Sequence, residues 1–166
     1  MAQPDAPDEP VPTEADQRLI DAIRAGDEGR VESALRDGAS ANTTTTVEEG
    51  EFDSMSAGSA SALFLAVLAE RVPIVKLLVE RGANVHWARP HNGATVLWCA
   101  AAVGLLEVVR VLAEVGADIQ TPANGGSTPA LVAAQNGHAE VVRLLAELGV
   151  NVNTPMSHDG STPAFV

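Results

Sequence analysis

The chain has 166 residues, 46% hydrophobic but only 3% aromatic and without Tyr, which suits one domain whose core is built from Ala, Val and Leu, small enough for helices to pack closely. Its formal charge of -12 argues against nucleic acid and anionic membrane as partners, because both demand clustered Lys and Arg. A lone cysteine, Cys99, excludes an internal disulfide, and no apolar run approaches the ~20 residues of a membrane span, so the expectation is a soluble protein of the cytoplasm or nucleus.

Residues 1–17, "MAQPDAPDEPVPTEADQ", are rich in Pro and acid and lack the apolar segment of a targeting peptide; they are expected to be a disordered tail. Residues 18–42 read as helix, Gly, helix, Gly, with a charged outer face suited to capping an array. Residues 43–60 hold Glu48, Glu49, Glu51 and Asp53 without any Lys or Arg, in a Thr-, Ser- and Gly-rich context that predicts a solvated loop insertion. Such a loop is either merely tolerated or carries function. Three full units follow at 61–92, 93–125 and 126–159, and a truncated one at 160–166 ends inside a helix.

These units repeat with a fixed period. Gly104 and Gly137, Glu107 and Glu140, and Gly116 and Gly149 are each 33 residues apart. Within the unit at 126–159, Thr128 is a good N-cap, Pro129 fits the first helical position, and Gly137 ends a short helix. A second helix then places Val141, Leu144, Leu145 and Leu148 on one face, and a finger of turn residues leads to the next Thr-Pro. Helices this short are marginal alone in water, so they must stack.

On the phrases "SALFLAVLAERVPIVKLLVERGANV", "TVLWCAAAVGLLEVVRVLAEVGADI" and "TPALVAAQNGHAEVVRLLAELGVNV", the chain resembles the ankyrin repeat family. The resemblance implies an all-α ankyrin-repeat solenoid of stacked helix-turn-helix units with finger-like loops or hairpins. It further implies a protein-interaction module that binds a protein partner through a concave face, without catalysis or cofactor. Where the family places a hydrogen-bonding His, this chain has Phe64, Trp98, Leu131 and Phe165, so bulk packing is expected in place of a polar tie. Glu70 stands where a turn Gly is expected, with Pro73 close behind, so strain or a lengthened turn is expected there.

The family's variable positions fall on Leu68 and Ala69, then Ala94, Ala102 and Val103, then Ser127, Gln135 and Asn136. This ledge is apolar in its first two units, which suggests either a partner or cover by the acidic insertion. Trp87, Arg89 and His91 on the adjoining finger are expected at the interface, Trp and Arg being frequent hot-spot residues, although Trp87 could equally fold back on Pro90. Met156 and His158 occupy the equivalent finger beyond. The protein is expected to be a monomer unless something covers its open C-terminal end.

Catalytic motifs are missing: no phosphate-binding Gly loop, no Cys pair at zinc spacing and no nucleophile elbow. Cys99 lies on a first helix and reads as a small core residue. His86 and His91 match no metal scheme, and His138, at the start of a second helix, reads as structural. Two rival readings remain, a recruiting or regulatory fragment of a larger enzyme whose catalytic domain lies outside this chain, and an inert spacer.

Overall fold

The computed structural model describes residues 12–48, 51 and 58–151. Among these residues, eight helices and one strand pair follow in order: α1 (Glu14–Ala25), α2 (Glu28–Arg36), β1 (Thr44–Val47), β2 (Gly58–Ser61), α3 (Ala62–Leu68), α4 (Val72–Glu80), α5 (Val96–Val103), α6 (Leu106–Glu114), α7 (Pro129–Gln135) and α8 (Ala139–Glu147). The truncated unit at 160–166 lies outside the described residues.

The first helix of each of the four described units starts on a hydroxyl cap. Thr13, Ser61, Thr95 and Thr128 each accept the N–H three residues on, satisfying one of the orphan donors of a helix start. At α1 the cap is reciprocal, since Asp16 Oδ2 accepts the Thr13 N–H at 2.9 Å. The other oxygen of Asp16 accepts the Ser40 N–H at 2.8 Å and so ties α1 to the finger that follows α2. Burial works to raise the Asp16 carboxyl, but bonds from the Thr13 hydroxyl and the Ser40 and Thr13 N–H groups hold it below the usual carboxylate range. Because α1 begins at Glu14 and Asp16 is buried, the last residues of the expected 1–17 tail belong to the folded unit.

The helices pack as two rows. α1, α3, α5 and α7 touch in sequence, α2, α4, α6 and α8 form the second row, and each first helix lies against its own partner. Between the rows runs one core of Ala, Val, Leu and Ile, with Leu19, Ile23, Leu65, Val75, Leu97, Val109, Ala133 and Leu145 fully or almost fully buried. Helices of seven to twelve residues gain stability here from neighbours rather than from their own propensity.

Ties between successive fingers lock the stacking. Asn42 Oδ1 accepts the Asn84 N–H at 2.6 Å, and the Asn124 side chain donates to the His91 carbonyl at 3.1 Å. Between second helices, Lys76 meets Glu107 at 2.8 Å and Arg81 meets Glu32 at 3.7 Å; both pairs are solvent-exposed and contribute little.

The insertion departs from expectation, because its flanks are strands rather than loop. β1 and β2 pair antiparallel with Thr44 opposite Ser61 and Val47 opposite Gly58. β-branched Thr and Val suit the pleated surface, and the turn-rich composition between them masked that signal. Val47 and Ala60 are fully buried in the same core as α3. Arg24, at the end of α1, donates to Glu51 at 2.6 Å and to the Thr46 carbonyl at 2.9 Å. That guanidinium holds the Glu51 carboxyl below its ordinary value.

Candidate interaction surface

Turn geometry sets the shape of the surface at the C-terminal ends of the first helices. Gly26, Gly104 and Gly137 adopt left-handed φ values of 68°, 83° and 78°. Glu70 takes the same conformation at φ 56°, the one non-glycine with positive φ among the described residues. Its turn is not lengthened: Arg71 N–H reaches the Ala66 carbonyl just as Leu105 N–H reaches that of Ala100. The strain expected at Glu70 is therefore held in its own backbone.

Because the four turns are equivalent, the residues before them line up across the packed first helices. Leu68 is buried and Ala69 half-buried; Ala102 and Val103 are half-buried; Gln135 and Asn136 are exposed. Asn136 also has a structural task, donating to the Ala102 carbonyl at 2.7 Å, where His138 Nε2 bonds at 3.0 Å. His138 is thus a tie between repeats. Ala94, placed on the ledge by sequence, is fully buried instead, and Ser127 is half-buried.

The finger residues divide. His91 is exposed, but Arg89 is only 1% exposed and cannot act as a surface hot spot. Its guanidinium lies 5.5 Å from the centre of the Phe64 ring, and Nε donates to the Ser59 carbonyl at 3.4 Å. Burial lowers its affinity for the proton, although it remains cationic. The insertion explains why sequence reading missed this: a residue expected at a solvated tip is roofed by β2. Trp87 is half-buried, and its ring meets Phe64 edge-on at 5.2 Å. Met156 and His158 lie outside the described residues.

Trp98 corrects a second expectation. Its indole N–H donates to the Ser127 carbonyl of the next unit at 2.9 Å, so at this position bulk and a polar tie coexist. An indole carries a donor that Phe and Leu lack, which was the available sequence signal. A niche of about 190 Å³ between the second and third fingers also escaped the sequence reading; Val85, His86, Ala88, Thr95, Asp118 and Thr121 line it. Asp118 there is kept below the usual carboxylate range chiefly by the Thr121 hydroxyl and the Gln120 N–H.

Among the described residues, no three His, Cys, Asp or Glu side chains could hold a metal together, and no helix is long and apolar enough to cross a membrane. Cys99 is fully buried, and burial pushes its thiol up to about 12 against the opposing pull of Arg89. A thiol reagent at pH 8 should therefore leave Cys99 untouched in the folded protein and modify it completely in urea. Rapid labelling without denaturant would contradict its place in the core.

Paired short helices, Gly-punctuated turns and finger ties define the class: a helix-pair repeat array with a ledge left open along its first helices. The chain belongs to the ankyrin repeat family; a model of three ankyrin repeats matches residues 19–123 and a single ankyrin repeat matches residues 125–156. Among curated proteins it is similar to protein phosphatase 1 regulatory subunit 27 of Mus musculus, 30% identical over 115 residues that cover 69% of this chain and 68% of that protein. It is also similar to ankyrin repeat and KH domain-containing protein 1 of Homo sapiens, 45% identical over 62 residues, which are 37% of this chain but only 2% of that protein.

Proposed function

We propose that the chain is a non-catalytic interaction module that binds a protein partner across the ledge at the ends of α3, α5 and α7, the concave side of the array in this family. The observation that carries this reading is the continuity of Ala69, Ala102, Val103 and Gln135, small or neutral groups in register with solvent access. A preformed rigid row loses little ordering entropy on docking. His91 extends the surface toward the fingers, and Met156 and His158 stay with it as candidates beyond. The cytoplasm or nucleus is the proposed compartment.

Affinity capture with the full chain tests the proposal. A bound protein should be lost on Val103→Glu, which puts a charge on the ledge, and retained on Glu147→Lys, at an exposed site of α8. Equal capture by both variants would remove the ledge from consideration. The regulatory-subunit name of the mouse relative favours a second reading, in which the partner is the catalytic subunit of an enzyme. Phosphatase activity in the captured fraction, absent with Val103→Glu, would select it.

A further inference from the structure

The row of first-helix ends continues beyond the open ledge. Arg24 stands two residues before the left-handed turn at Gly26, just as Leu68, Ala102 and Gln135 precede Glu70, Gly104 and Gly137. Exposure falls along this row from Gln135, which is exposed, through half-buried Ala102 to Leu68 at 6%. The fingers follow the same trend, for Arg89 is 1% exposed whereas Pro122, 33 residues on at the equivalent place in the third finger, is exposed. Where the surface closes, the inserted strands lie.

Those strands are held as a bound peptide would be held. One guanidinium takes a backbone carbonyl from each of them: Arg24 donates to Thr46 at 2.9 Å and Arg89 to Ser59 at 3.4 Å. Arg24 also grips the Glu51 carboxylate with two nitrogens, at 2.6 Å and 3.4 Å, the forked geometry that makes such pairs strong. Small side chains fill the space below, with Val47 and Ala60 at 0% exposure. Gly58 brings β2 so close that an added Cβ would stand 3.1 Å from the Arg89 guanidinium and 3.2 Å from the His91 ring. Backbone carbonyls, one carboxylate and small apolar groups are features that any extended acidic segment can present.

We infer that the end of α1, the start of α3 and the second finger form a strand-binding groove continuous with the ledge, which the chain's own β1–β2 pair occupies as an autoinhibitory plug. This rests on the ledge reading above and adds its regulation. A partner covers Ala102, Val103 and Gln135 freely, but reaches Phe64 and Leu68 only with an extended acidic segment that displaces the strand pair. Tethering gives the plug an effective concentration of about millimolar, so a free segment of equal intrinsic affinity is excluded below that concentration.

The test uses a fluorescein-labelled synthetic peptide of residues 43–62 and the full chain. Val47→Asp puts a charge where the side chain has no solvent contact, which evicts the strand pair and leaves Arg24, Phe64 and Arg89 in place. The peptide should bind Val47→Asp at least about tenfold more tightly than the wild type. A peptide carrying Glu51→Gln should bind that variant about tenfold more weakly; equal binding of the two peptides would overturn the acidic character of the segment. With Glu51→Gln in the full chain, hydrogen exchange at the amides of β1 and β2 should quicken about tenfold while α5–α8 keep their protection. The plug is overturned by any of three results: no peptide binding by Val47→Asp with its helices intact, loss of helical dichroism in Val47→Asp, or exchange of β1 and β2 only at the rate of α5–α8. Each would make the strand pair a fixed part of the core. None would touch the ledge, which stands or falls with the capture by Val103→Glu.

Discussion

Phe64→Ala should destabilise the protein by about 3–5 kcal/mol, the range for removing a fully buried aromatic ring, and lower Tm by ~10–15 °C. The ring is inaccessible to solvent, packed in the core, and contacted by both the Trp87 edge and the Arg89 guanidinium. Its loss leaves a void among groups that belong to α3, the second finger and, through the Ser59 tie of Arg89, the inserted hairpin. A domain of this kind holds only about 5–15 kcal/mol in total, so the variant should unfold its N-terminal units before α5–α8, as nearest-neighbour stacking predicts. Urea unfolding followed by Trp87 and Trp98 emission provides the measurement. Phe64→Leu, which retains most of the bulk, should cost about 1–2 kcal/mol, and a cycle with Trp87→Leu should give a coupling of ~0.5–1.5 kcal/mol. A cost below ~1 kcal/mol for Phe64→Ala would mean that the site is not packed as described.

Sequence reading reaches as far as the repeat itself reaches. Helix ends and turns were legible because Thr-Pro, Gly and Gly-Ala recur at one spacing, and each copy must solve the same local problem of caps and left-handed turns. What sequence did not show is where one unit departs from its siblings. Arg89 was expected at a solvated finger tip, since its burial depends on β2, and the strands of the hairpin were concealed in a Thr-, Ser- and Gly-rich stretch. Trp98 was read for volume alone, because its hydrogen bond needs the Ser127 carbonyl from 29 residues on. Of the ledge, the in-register row at 102, 103 and 135 was legible from the period. The burial of Ala94 and the second duty of Asn136 were not, because both depend on contacts with other parts of the array.

Gly104→Ala should cost about 2–4 kcal/mol, and the comparison with Gly137→Ala shows why. Both glycines are left-handed, at φ 83° and 78°, so both substitutions meet the backbone penalty of ~1–2 kcal/mol, reduced by the stiffer unfolded chain. At Gly137 an added Cβ meets nothing within 4 Å, whereas at Gly104 it falls on the imidazole of His138. That ring cannot simply swing away, because its Nε2 bonds to the Ala102 carbonyl at 3.0 Å and displacement would break a tie between the α5–α6 and α7–α8 units. Overpacking of this type costs a further ~1–3 kcal/mol. Gly137→Ala should therefore remain near 1 kcal/mol, and His138→Ala should remove most of the difference between the two glycine variants in a double-mutant cycle. Chemical denaturation of the wild type, the three single variants and the two double variants decides the matter: equal costs at Gly104 and Gly137 would refute the close seating of His138 on the neighbouring turn, and with it the account of how these two repeats hold each other in register.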